Sequence, residues 1–246
     1  MTLDEYFDVL GNDYDGHDDQ YKFLINNLKN GTPFSYARFN DGEMMGIDRV
    51  GSVVARGDQV VDESLHKALT ESIKHKQENY YVGIPCSKCF PRYNKLANEL
   101  VGEYDFKVSA VALTNRNWAK VIGEMGEALQ GKNIRYLSGD DQKLEFLQRK
   151  MNLNIVEHVK TSSRNSWKNY DNIKGYIDKV EDGDVVIISL GPTARILACE
   201  WFKEKPNATF IDIGSILDPF TRGVFHNCHK GWENGFNITG KCQICN

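Results

Sequence analysis

From residue 108 to residue 213 the chain alternates between strand-length apolar runs and helix-length segments, and few architectures accommodate that rhythm. Residues 108–113 read as a strand, 118–129 as a helix, 133–137 as a strand and 142–151 as a helix. The series continues with strands at 153–158, 184–189 and 208–213 and helices at 169–179 and 192–202. A helix between successive strands returns the chain to its starting end. The strands therefore pair in parallel, with helices on both faces of the sheet. Upstream, 3–10 and 19–29 read as amphipathic helices, 34–39 as a strand, 62–78 as a helix, 80–84 as a strand stopped by Pro85, and 91–103 as a helix. Asn40-Asp41-Gly42 reads as a turn, and residues 43–47 as helical or irregular. A chain of 246 residues can bury one sizeable core, so a single domain over 1–246 is expected.

Charge narrows the partners. The formal net charge is −4, and no basic stripe of the kind a duplex-binding surface needs is present, so nucleic acid is not an expected partner. The longest apolar runs, such as Val185-Val186-Ile187-Ile188, are strand-length, so no transmembrane segment is expected. Residues 1–20 are rich in Asp and lack the apolar stretch of a secretory signal, which makes the cytoplasm the expected location.

In parallel sheets ligands bind beyond the carboxyl ends of the strands, in the loops that lead into helices. Those loops here are Asn40-Asp41-Gly42-Glu43, Thr114-Asn115-Arg116, Ser138-Gly139-Asp140-Asp141, Gly191-Pro192-Thr193 and Gly214-Ser215. Asp41 and Glu43 place two carboxylates across a glycine. Hard divalent cations such as Mg²⁺ or Mn²⁺ take oxygen ligands and fill their remaining positions with water and phosphate. Arg38, just before, is suited to a forked contact with a phosphate oxygen. The plain alternative is a surface turn. At Gly191-Pro192-Thr193 a buried strand runs into a helix: the glycine admits close approach, the proline suits the first turn, and Thr193 adds a hydroxyl beside free backbone N–H groups. The alternative there is a strand-to-helix turn without a ligand. Asp212 lies in an apolar strand, where a carboxylate must be hydrogen-bonded or used: it either caps a neighbouring helix or faces the site. Asp218 is a candidate general base, with His226 and His229 as rivals.

These segments resemble those of the GT-D-fold glycosyltransferases, a family first described as a bacterial domain of unknown function. Ser35-Tyr36-Ala37-Arg38-Phe39-Asn40-Asp41-Gly42-Glu43 is similar to its S-x-x-R-F-G-D-G-E stretch. Leu190-Gly191-Pro192-Thr193-Ala194, Leu197-Ala198 and Ile211-Asp212-Ile213-Gly214-Ser215 resemble its L-G-P-T-A, L-A and D-I-G elements, in the same order and at similar spacing. Asn115-Arg116 and the run 134–170 resemble its middle region less specifically. The resemblance implies a Rossmann-like α/β fold and sugar transfer from a nucleotide-sugar, UDP-linked or similar, to a glycan or glycoprotein acceptor. It also implies a metal-dependent, hexosyltransferase-type activity, with Asp41 and Glu43 binding the cation at the donor diphosphate. Arg38, Asn115, Arg116, Gly139, Gly191, Pro192, Thr193 and Asp212 are then the candidates for donor contact. Asn40 departs from the family's usual glycine but also tolerates the left-handed conformation. The segment Pro85–Cys89 departs too, where an acidic residue is expected.

Six cysteines are present, four of them as Cys86-x-x-Cys89 and Cys242-x-x-Cys245. Each pair has the spacing of half a tetrahedral zinc site, so a structural Zn²⁺ held by Cys86, Cys89, Cys242 and Cys245 is one expectation, with the segment 222–246 stapled by it. Cys228 and His229 are alternative upstream ligands, and plain surface thiols are the other reading. Two further functions compete with sugar transfer: a metal-dependent phosphohydrolase or nucleotidyltransferase, and a non-catalytic nucleotide-sugar binding module.

Overall fold

The computed structural model describes residues 18–49, 53–54, 59–87, 90–110, 112–113 and 121–224. Helix α1 (Asp18–Asn30) leads into strand β1 (Ser35–Arg38) and helix α2 (Asp41–Asp48). A short antiparallel pair follows, β2 (Val53–Val54) with β3 (Gln59–Val60). Then come α3 (Glu63–Lys74), β4 (Tyr80–Ile84), α4 (Pro91–Val101) and β5 (Lys107–Ser109). After a π-helical turn at Val121–Met125 run α5 (Gly126–Leu129), β6 (Ile134–Gly139), α6 (Glu145–Met151) and β7 (Ile155–Thr161). The chain closes with α7 (Tyr170–Lys174), flanked by 3₁₀ turns, then β8 (Val185–Ser189), α8 (Thr193–Glu204), β9 (Thr209–Asp212) and α9 (Asp218–Thr221).

Seven strands form one sheet in the order β5-β4-β1-β9-β8-β6-β7, with every pairing parallel. The expected parallel sheet is thus observed. Side chains alternate between its faces as a two-residue repeat requires. Val185 and Ile187 of β8 join Tyr36, Tyr136 and Ile211 on one face, under Tyr21, Leu24 and Leu28 of α1. Val186 and Ile188 join Ala37, Leu137 and Phe210 on the other, under Leu65 and Leu69 of α3 and Ile196, Leu197 and Trp201 of α8. Val186 and Ile188 are fully buried, each stabilising the fold by about 1.5–3 kcal/mol relative to exposure. Ser35 Oγ donates to the Ala198 carbonyl at 2.8 Å and pins β1 beneath α8.

Local differences from the sequence reading have physical reasons. Asn40-Asp41-Gly42 is not a free turn: Asn40 is the N-cap of α2, and Asp41 and Gly42 form its first turn. The strand expected over 108–113 is Lys107–Ser109, an edge strand that pairs with β4 among the described residues. The helix expected over 169–179 is one α-helical turn between 3₁₀ turns. The β2–β3 pair and α9 are too short to show a sequence period. The helix expected at 3–10 lies outside the described residues.

Candidate functional site

The carboxyl ends of β1, β9 and β8, three adjacent strands, deliver the Arg38–Glu43, Asp212–Gly214 and Leu190–Thr193 segments to one rim of the sheet. The carboxylates of Glu43 and Asp212 both lie there, buried to 8% and 0% exposure. A buried carboxylate is costly unless paired. Both are paired to the same residue, Arg195 of α8, itself 1% exposed. Its Nε lies 2.9 Å from Asp212 Oδ2 and donates to the Arg38 carbonyl at 2.6 Å. Its Nη2 lies 3.3 Å from Glu43 Oε1, and its Nη1 donates to the Gly191 carbonyl. Asp212 also accepts the Arg38 N–H at 3.2 Å and the Gly214 N–H at 3.0 Å. Burial pushes the Asp212 carboxyl upward in pKa, and Arg195 and Arg38 pull it back.

Arg38 is nearly buried and its guanidinium lies against Gly214. Gly214 has φ +54, and a Cβ there would stand 2.1 Å from Arg38 Nη2. Both the backbone and the contact demand glycine. Glu43, third in α2, accepts the Asn40 N–H on Oε2 at 3.1 Å, which satisfies one donor at the helix start. Asp41, two positions earlier in the same helical turn, is half-buried.

The sequence candidates separate here. Arg38, Asp41, Glu43, Gly191, Pro192 and Asp212 meet at the rim. Asp212 is bound into the scaffold by Arg195, Arg38 and Gly214 rather than left open to a ligand. Thr193 is also at the rim but fully buried, with its hydroxyl 2.9 Å from Ser166 Oγ. Gly139 is accounted for by packing, since a Cβ would stand 2.6 Å from Ser163 Oγ. Asp218 is buried and lies 3.2 Å from Arg222 Nη1, whose Nη2 reaches Asp141 at 2.6 Å. Asn115 and Arg116 fall outside the described residues, as do Cys89, His226, Cys228, His229, Cys242 and Cys245. Cys86 is half-buried just beyond β4. Arg195 is the residue sequence reasoning missed. Its signal was a lone cation amid apolar neighbours in Ala194-Arg195-Ile196-Leu197-Ala198.

The family model for the glycosyltransferase GT-D fold matches residues 112–221. Solved structures align over most of the chain. One is a selenomethionine-substituted domain of unknown function 1792: 18% identical, TM-score 0.64, covering 80% of this chain and 77% of that one. A second, of the same domain and described as having a distinct glycosyltransferase fold, is 18% identical with TM-score 0.63 and the same coverage. This chain has the GT-D fold. A third, described as a new glycosyltransferase of that domain type from Streptococcus sanguinis, is 18% identical with TM-score 0.64 and 80% of each chain covered. No curated protein matches the sequence. The resemblance read from the first and last motifs is thereby borne out for the fold.

The GT-D resemblance implies a divalent cation at Asp41 and Glu43, and the oxygens of Glu43 and its neighbour Asn40 fit one. Each Glu43 oxygen has one protein partner, from Arg195 or Asn40, and a carboxylate oxygen has room for another. The buried Oδ1 of Asn40, which faces the first turn of α2 in a loose capping box, has no hydrogen-bond partner of good geometry. Carboxylate and amide oxygens together are a hard donor set of the kind Mg²⁺ and Mn²⁺ take. Among the described residues no group of three or more His, Cys, Asp or Glu side chains is arranged for a metal. Among the described residues no helix is long and apolar enough to cross a membrane.

Proposed function

We propose that this GT-D protein is a glycosyltransferase that takes a nucleotide-sugar, UDP-linked or similar, as donor and moves its sugar to a hydroxyl of a glycan or glycoprotein. The observation that supports this reading is the joining of Glu43, the Arg38 backbone and the Gly191 turn through Arg195 at one rim of a GT-D sheet, with Asp41 in the same helical turn as Glu43. Asp41 and Glu43 would hold the cation, with Asn40 Oδ1 beside them. Bound there, a divalent cation supplies Lewis-acid stabilisation of the charge that develops on the departing diphosphate. Arg38, held in place by Gly214, presents a guanidinium to the same phosphates and adds charge-assisted hydrogen bonds. The exposed Gly191 allows the donor to approach the start of α8, where backbone N–H groups favour an anion.

The test is donor hydrolysis across a panel of nucleotide-sugars with and without Mn²⁺. Nucleoside diphosphate release that needs both a sugar donor and the cation supports transfer. Free phosphate released from nucleotides with no sugar requirement would indicate a phosphohydrolase instead. Asp41→Ala is expected to abolish the cation-dependent release and to cost about 0.3–1 kcal/mol of stability, since its carboxylate lies in the first turn of α2.

A further inference from the structure

Glu43 enters the site as a short-range member of α2, yet its second carboxylate oxygen is held from across the sheet. Arg195 reaches it at 3.3 Å from the first turn of α8. The same guanidinium grips the Arg38 carbonyl at the end of β1, the Gly191 carbonyl before α8 and Asp212 at the end of β9. Asp212 extends the grip to the Gly214 N–H, the residue against which the Arg38 guanidinium rests. A single planar fork therefore sets the relative position of all three loops at the rim. We propose that Arg195 is the positioning residue of the site: it orients the Glu43 carboxylate for the cation and fixes the β1, β8 and β9 ends around it. The proposal rests on the donor-site reading above. Arg195 is buried and its guanidinium is taken up by protein partners, so it acts through Glu43 and the loops.

Lysine cannot replace it. An ammonium is a point charge at the end of a flexible stem, whereas the guanidinium presents five N–H donors in a fixed plane. Partners that orient a metal ligand commonly change metal affinity about 10- to 100-fold when removed. The test is isothermal titration of Mn²⁺ into the full chain, for the native protein, Arg195→Lys, Arg195→Met and Ser35→Ala. Ser35→Ala removes a buried hydrogen bond between β1 and α8 without touching the site, and so reports what loosening alone does.

Expected are Mn²⁺ affinities about 10- to 100-fold weaker in both Arg195 variants and native affinity in Ser35→Ala. In a Glu43→Gln background, Arg195→Lys is expected to add little, because the carboxylate it orients is gone. Asp212→Asn keeps Arg195 but weakens its anchor, and serves where the Arg195 variants fold poorly; it is expected to weaken Mn²⁺ binding by a smaller factor. Native-like Mn²⁺ affinity in Arg195→Lys and Asp212→Asn overturns the proposal and leaves the donor-site reading standing. So does an equal loss in Ser35→Ala. Absence of Mn²⁺ binding in the native protein removes the donor-site reading and the proposal with it.

Discussion

Replacing Gly214 with alanine tests how tightly the rim is built. The substitution acts twice. Alanine at φ +54 sits in the left-handed region, at a cost of about 1–2 kcal/mol, partly offset by about 0.4–1 kcal/mol from its stiffer unfolded chain. The new methyl would also stand 2.1 Å from Nη2 and 2.7 Å from Cζ of Arg38. Arg38 is 9% exposed, so its guanidinium must leave a packed position, an overpacking cost of about 1–3 kcal/mol. The sum is about 1–5 kcal/mol. Gly131 is the control: its φ is +74 and a Cβ there meets nothing within 4 Å. Gly131→Ala should therefore carry only the backbone part, about 1 kcal/mol. Urea unfolding of both variants, compared at a common m-value, gives the difference. Nucleotide-sugar binding should weaken in Gly214→Ala and stay native in Gly131→Ala. If the two variants lose the same stability, the packing of Arg38 on Gly214 is not what this position needs.

Other outcomes follow from the same geometry. Arg135→Met strips the buried Asp184 of its partner at 2.6 Å and should cost about 3–5 kcal/mol in urea unfolding, with Asp184→Asn in the same chain recovering part. His158 is held below the ordinary imidazole pKa by burial and by Lys160, against an opposing pull from Glu145. Its folded form favours the neutral ring, so its contribution to stability is full above the unfolded value of about 6.5 and is lost as pH falls through the folded value. An NMR titration should find its midpoint below 6.5, and His158→Asn should flatten the stability profile in that window; a midpoint above 6.5 would contradict the assignment. The Arg195 and Asp41 variants described above complete the set.

The sheet was legible because its central strands are buried on both faces and read as unbroken apolar runs, as in Val185–Ile188. Its strand order was not, since the placement of β9 between β1 and β8 is a long-range pairing that leaves no local pattern. Asp41 and Glu43 stood out as residue types, but their setting was misjudged. Asn40 followed three residues later by Glu43 is a helix-start signal, and the glycine between them drew the reading toward a turn. Asp212 was recognised as a carboxylate that needs a partner. Arg195 was passed over because it lies within an apolar helix, although a buried charge in such a helix must answer one elsewhere.

The position of β9 bears on how the molecule is made. β1, β4 and β5 come early in the chain and form one half of the sheet; β6, β7 and β8 come later and form the other. Among the described residues β9 is the strand that joins them within the sheet, and its Asp212 meets the Arg38 N–H across a separation of 174 positions. Until residues 209–212 pair, the β1 and β8 edges that flank them have no strand between them. Such distant closure is slow. A chain stopped short of that strand would keep most of its helices, lack the rim altogether, and expose two unpaired edges to any neighbouring chain.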